Sequence, residues 1–303
     1  MTTPSIATRL STLTRLTATT AATITAAAVL AGCAGTNSTP TDVPPPSTAA
    51  SGDMGGTAGM GGMPGMSMAS GNGLADTVNG YTLAVHTPPG AGPTTLSITH
   101  NGAPVTTFDP EQTKLMHFYL IRSDLTGFQH VHPTMSPDGT WTAPTTPVGA
   151  GHYRIYVQFV PHADAAGGAL TVSAPVRVPG PGVATVAELP AAATTTTVDG
   201  YTVALTGVLA AGQEAPLTIT ISRNGQPVTD LQPYLDTYAH VTAIHQSDLA
   251  FAHLHPEGTV NGDHGGPTLT VHAQLPAPGN YRMFIQFRTQ NTLHTAPITI
   301  SAS

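Results

Sequence analysis

Fourteen histidines stand against nine lysines and arginines in this chain, and the placement of six of them is regular. His117 is followed thirteen residues later by His130-Val131-His132-Pro133, and His240 at the same interval by His253-Leu254-His255-Pro256. Side chains alternate on an extended chain, so both imidazoles of a His-x-His pair project from one face. A further histidine on a neighbouring strand completes a set of three. Neutral imidazole suits Cu(II), Zn(II) and Ni(II), and three protein ligands leave one coordination position open. The spacing therefore marks two candidate metal triads, one of His117, His130 and His132 and one of His240, His253 and His255. The competing reading is that these rings hydrogen-bond strand ends and that Pro133 and Pro256 terminate the strands. Asp124 and Asp248, in the repeated Ser-Asp-Leu, either orient an imidazole or form a turn through side-chain to backbone bonding. The other eight histidines, His245 and His294 among them, have no counterpart in the other copy and are read as surface or auxiliary.

A second potential ligand set is chemically softer. Five of the nine methionines, Met54, Met60, Met63, Met66 and Met68, fall in one Gly-rich stretch. Thioethers favour Cu(I), and a glycine backbone lets several sulfurs converge without strain. Drift in a low-complexity linker accounts for the same composition.

Three matched segments show what positions the histidines. Val78-Asn79-Gly80-Tyr81-Thr82 returns as Val198-Asp199-Gly200-Tyr201-Thr202, and Asn101-Gly102-Ala103-Pro104-Val105-Thr106 as Asn224-Gly225-Gln226-Pro227-Val228-Thr229. Tyr153-Arg154-Ile155-Tyr156-Val157-Gln158-Phe159 returns as Tyr281-Arg282-Met283-Phe284-Ile285-Gln286-Phe287. The period within these segments is two, so Tyr153, Ile155, Val157 and Phe159 share one face and Arg154, Tyr156 and Gln158 the other, as in a half-buried strand. Short β-branched runs separated by Gly, Pro and Asn-Gly turn signals indicate six or seven strands per copy. The fold class is all-β: two tandem antiparallel immunoglobulin-like β-sandwich domains after a disordered N-terminal stalk. Gly151 and Gly279 shortly precede Tyr153 and Tyr281, the arrangement of a tyrosine corner. The modules span residues 78–178 and 198–303, joined by a Pro/Ala/Thr-rich linker at 179–197 across which each is expected to fold separately.

Ahead of the modules, Arg9 and Arg15 precede a short apolar run ending Leu30-Ala31-Gly32-Cys33. Residues 1–32 read as a secretory signal and Cys33 as the acylated residue of a lipobox, with residues 33–77 a flexible tether. The run is too short and Thr-rich for a spanning helix. The expected location is the extracytoplasmic face of the cell membrane, with the lipid bilayer as a partner through acylated Cys33. Cys33 is the only cysteine, which leaves no disulfide and no thiolate metal site. With sixteen acidic residues and no basic run, the chain is a poor partner for nucleic acid. No Gly-x-Ser-x-Gly elbow or phosphate loop is present, so no enzymatic activity is expected.

The order of a strand His, Ser-Asp-Leu, His-x-His-Pro and a Gly-x-Tyr-Arg strand ending in Gln-Phe resembles secreted, actinobacterial-type two-domain proteins related to heavy-metal-binding or YtkA-like β-sandwich domains. The resemblance covers both modules and implies metal handling; the Met-rich stretch lies outside it. The leading expectation is a lipoprotein that binds copper, with zinc as the alternative ion, for buffering or delivery. A structural or adhesive surface protein with tandem sandwich domains is the other, and a protein partner is left unnamed.

Overall fold

The computed structural model describes residues 71–180 and 186–303, apart from the side chains of His253 and His255. Cys33, the signal segment and the five clustered methionines lie outside the described residues.

Both modules are antiparallel β-sandwiches. In the first, a six-stranded sheet runs Thr77–Val78, Tyr81–Thr87, Thr94–His100, Thr140–Ala143 and Thr134–Met135, with Ala103–Pro104 paired to Thr94–His100. Facing it, a five-stranded sheet runs Leu170–Val178, Gly151–Pro161, His117–Arg122 and Gln129–Val131, with Phe108–Asp109 on the second of these. The second module repeats the arrangement, but its Phe251–Pro256 strand stays continuous and pairs with His240–His245 on one side and Thr268–Gln274 on the other. Its strands therefore join into one nine-stranded sheet.

The Asn-Gly and Asp-Gly hairpin signals act as expected. Asn79-Gly80, Asn101-Gly102, Asp199-Gly200 and Asn224-Gly225 all take positive φ at both positions, the conformation of a two-residue turn that matches strand twist. The tyrosine corners are present as well, with the hydroxyls of Tyr153 and Tyr281 donating to the carbonyls of Gly149 and Ala277, four residues upstream.

Each sandwich fills its core from the inward faces, with Phe118, Leu120, Ile155 and Val157 in the first module and Val241, Ala243, Met283 and Ile285 in the second. The other faces depart from the half-buried reading. Tyr119, Tyr156 and Gln158 are as buried as the core residues beside them. The reason is the other module: Tyr119, Ile121, Leu125 and Tyr156 form one apolar cluster with Ile244, Phe251 and Phe284. The face that alternation assigns to water is covered by a second sheet, so the modules dock instead of standing apart on their linker. Phe128 and Phe284 stack across the boundary with centroids 3.9 Å apart. Leu189 of the linker packs against the same cluster.

The repeated Ser-Asp-Leu turn serves this interface. Asp124 and Asp248 accept hydrogen bonds from the backbone N–H of Thr126 and Ala250, two residues on. That turn holds Leu125 and Leu249 at φ of 63° and 64°, a left-handed conformation costly for leucine and maintained here by the apolar contacts it creates. The carbonyl of Leu249 also accepts from Tyr156 Oη at 2.6 Å, across the boundary.

Candidate metal centre between the modules

His117 and Tyr119 lie two residues apart on the same strand and so project from the same face, towards the other module. Backbone pairing sets the rest: His130 lies opposite Tyr119, and His117 opposite Gln158. In the second module His240 lies opposite Gln286 in the equivalent register. Face-to-face docking then brings His117, His130 and His240 together, with one potential ligand atom from each lying within 4.8 Å of the others. The two triads marked by spacing thus pool across the module boundary. Two imidazoles come from the first module and one from the second, because His117, His130 and His240 all sit on the docking faces. His132 flanks this trio, its ring centroid 5.1 Å from that of His117 and 4.8 Å from that of His130. The Phe251–Pro256 strand carries His253 and His255, whose side chains lie outside the described residues.

The rings form a linear relay. His117 Nε2 lies 3.0 Å from the carbonyl oxygen of Glu111, and His117 Nδ1 lies 3.2 Å from His130 Nε2. His130 Nδ1 reaches Gln286 Oε1 of the second module at 2.6 Å. Tyr119 Oη lies 3.0 Å from His240 Nε2, while its ring stacks on His130 at 4.3 Å. Tyr234, the second-module counterpart of Glu111, closes the trio edge-on, 6.4 Å from both His130 and His240.

Burial sets the charge state. It pushes His117 down to about 4, opposed by the Glu111 carbonyl and assisted by Lys114. It pushes His132 down to about 3, with His117 and Lys114 acting in the same direction. The Glu111 carboxyl rises to about 7 by burial. These rings are therefore neutral imidazoles at neutral pH, the form that ligates. His132 Nε2 is buried with no hydrogen-bond partner among the described residues, as is Glu111 Oε2.

With His117 and His130 both in the neutral form that ligates, the two rings carry two protons, yet the relay has three gaps and ends on two carbonyl oxygens. With Gln286 oriented oxygen-first, one gap is left with two lone pairs facing each other. If both rings donate outward, to Glu111 and Gln286, the facing lone pairs are His117 Nδ1 and His130 Nε2. Their 3.2 Å separation is close to the ~3.3 Å expected between two imidazole nitrogens on one tetrahedral ion with bonds of about 2.0–2.1 Å. Outward N–H groups held by carbonyl oxygens are the usual way a protein orients metal-binding histidines. Turning the Gln286 amide over instead supplies the missing proton and closes the relay as a hydrogen-bonded network.

Asp124 and Asp248 do not orient these imidazoles. Asp124 pairs with Arg122 at 3.2 Å and accepts from Ala187 of the linker, whereas Asp248 binds His245. His245 and His294, read from sequence as surface or auxiliary, are buried against Asp248 and Asp199 at 2.8 Å each. Tyr119, Glu111 and Gln286 were not singled out from sequence. The available signal was Gln158 and Gln286, retained at one position of both repeats on the face assigned to solvent.

The family model described as Domain of unknown function (DUF8832) matches residues 76–178 and again 196–303. No curated protein matches the chain. Among solved structures, the S-layer protein rSbsC(31-844) is similar at 17% identity, covering 74% of this chain and 28% of that one, with a TM-score of 0.21. The FN1-FN3 domains of chicken CNTN1 are similar at 8% identity, covering 73% and 65%, with a TM-score of 0.21. An I-band fragment from titin is similar at 10% identity, covering 73% and 65%, with a TM-score of 0.18. The chain spans about 28% of the length of the first of these.

Proposed function

This chain belongs to the DUF8832 family and carries its domain twice, and we propose that it is a non-enzymatic extracytoplasmic protein that binds one transition-metal ion between its two modules. The observation that carries this reading is the pair of imidazole nitrogens, His117 Nδ1 and His130 Nε2, at 3.2 Å between two outward acceptors, with His240 alongside. Copper is favoured over zinc because the Met-rich stretch offers sites for the reduced ion beside imidazoles for the oxidised one. Buffering or delivery of the ion is the role in keeping with that pair, and acylated Cys33 would hold the protein at the bilayer. One relay-like arrangement is sealed from any substrate. Thr289, His294 and Asp199 line up like a nucleophile relay, at 2.9 and 2.8 Å, but Thr289 is only 2% exposed and bonds Tyr201 Oη.

A second reading has its own observation. With Gln286 turned over, the relay is a complete hydrogen-bonded network, and the protein is then a structural or adhesive surface protein whose docked sandwiches act as a rigid unit. Titration of the metal-free full chain with Cu(II) and Zn(II) by calorimetry separates the two. One equivalent bound through imidazole is expected, and the absence of stoichiometric binding leaves the structural reading.

A further inference from the structure

The site's ligands are divided between two bodies whose other contacts are modest. Seven buried residues make the inter-module apolar cluster, with Phe128, Leu189 and Leu249 partly covered at its margin. Among the described residues, the polar contacts that cross the boundary include His130 to Gln286, Tyr119 to His240, Tyr156 to Leu249 and the Phe251 backbone N–H to the carbonyl of Asn72. Interfaces between domains of one chain resemble transient protein contacts, and relative motion is the default for them unless they are large and apolar. The described linker residues 186–188 are exposed and tied to the first module by the Ala187 N–H to Asp124 bond, and Leu189 is the part that touches the cluster.

We propose, building on the metal reading above, that the ion is an inter-module lock: His117 and His130 from one sandwich and His240 from the other bind it only when the modules are docked, so that occupancy sets whether the pair is closed or separated. Docking and ion binding are linked, so whatever factor docking contributes to affinity, the ion returns to docking. A metal-loaded chain is a single rigid pair, and a metal-free one samples an open state in which the linker extends and the apolar faces meet water.

The linker supplies the reporter. Glu188 is exposed and precedes Leu189, which packs on the inter-module cluster, so cleavage after Glu188 by a glutamate-specific protease requires Leu189 to leave the interface. In the full chain, saturating Zn(II) or Cu(II) is expected to slow cleavage at Glu188 by at least tenfold. The reciprocal arm replaces the Phe128–Phe284 stack by Phe284→Ser with every histidine intact. Its Zn(II) affinity, by calorimetry, is expected to fall at least tenfold at unchanged stoichiometry. If Phe284→Ser does not give a β-rich circular dichroism spectrum, Phe128→Ala, at a half-buried position, carries the same test. Equal affinity in the wild-type and stack variants, or a cleavage rate indifferent to saturating ion, overturns the lock while leaving a metal site in being. A wild-type chain that binds neither ion overturns both readings.

Discussion

His130 and Gln286 are 156 residues apart in the chain and meet across the module boundary, Nδ1 to Oε1, at 2.6 Å. The orientation of that amide separates a metal-binding relay from a purely hydrogen-bonded one. Gln286→Glu removes the choice, because an ionised carboxylate only accepts. The metal-free variant is expected to lose about 1–3 kcal/mol of stability for a buried charged group without full compensation. Zn(II) is expected to raise its melting temperature more than that of the wild type, since a carboxylate behind a ligating imidazole increases its basicity. Scanning calorimetry with and without the ion gives both numbers, and an ion that moves neither melting temperature favours the structural network.

One ion shared between modules has a different mutational signature from one ion per module. His117→Ala and His240→Ala, from opposite modules, are each expected to remove the same equivalent and weaken binding at least a hundredfold. Two separate triads predict that each substitution removes half of the bound metal. Isothermal titration of both variants distinguishes these outcomes, and His240→Ala that binds as tightly as wild type excludes the shared site.

Acidification is expected to destabilise the metal-free chain over a defined window. The His117 and His132 rings stay neutral when folded down to about 4 and about 3, but take up protons below about 6.5 when unfolded. The unfolded chain therefore binds more protons as pH falls below 6.5, and stability drops with a contribution to the slope of at most about two protons. The loss from His117 stops growing near pH 4. Glu111 opposes it: its carboxyl keeps its proton when folded up to about 7, against 4.5 for the free group, which stabilises the fold as pH falls across that interval. Urea titrations from pH 7 to 4 are expected to show a steeper loss in Glu111→Gln than in wild type. A parallel pair of curves would remove Glu111 from this balance.

Much of the scaffold was legible because its signals are local. The Asn-Gly turns specify a backbone conformation within two residues, and Gly279 with Tyr281 announces a corner whose hydrogen bond spans only four. The histidines were legible as candidates through His-x-His, but their grouping was not. Tyr156 and Gln158 read as a solvent face because alternation reports only that a strand has two faces, not what covers the second. The covering sheet is the chain's own second copy, and nothing within reach of a periodicity window encodes docking between copies. Gln286 was missed for the same reason, a polar residue that reads as exposed until a neighbour arrives to bond it.

The tyrosine corners lend themselves to a simple check of the sandwich itself. Tyr281→Phe deletes the hydrogen bonds joining its hydroxyl to Ala277 and leaves the ring buried. A loss of about 1 kcal/mol is expected from thermal or urea unfolding. An unchanged midpoint would mean that water replaces the bond without cost.

The distance along the chain between partners at the boundary also fixes an order of events. Tyr119 meets His240 over 121 residues and His130 meets Gln286 over 156, so neither contact exists until the strands of the second copy are in place. Contacts this remote in sequence carry the largest loop-closure cost and form late. During synthesis or export from the N-terminal end, the first sandwich has all its own strands well before His240 emerges. The cleft between the copies thus closes after the first sandwich, and an ion that needs both copies would be taken from whichever compartment the second copy's strands reach.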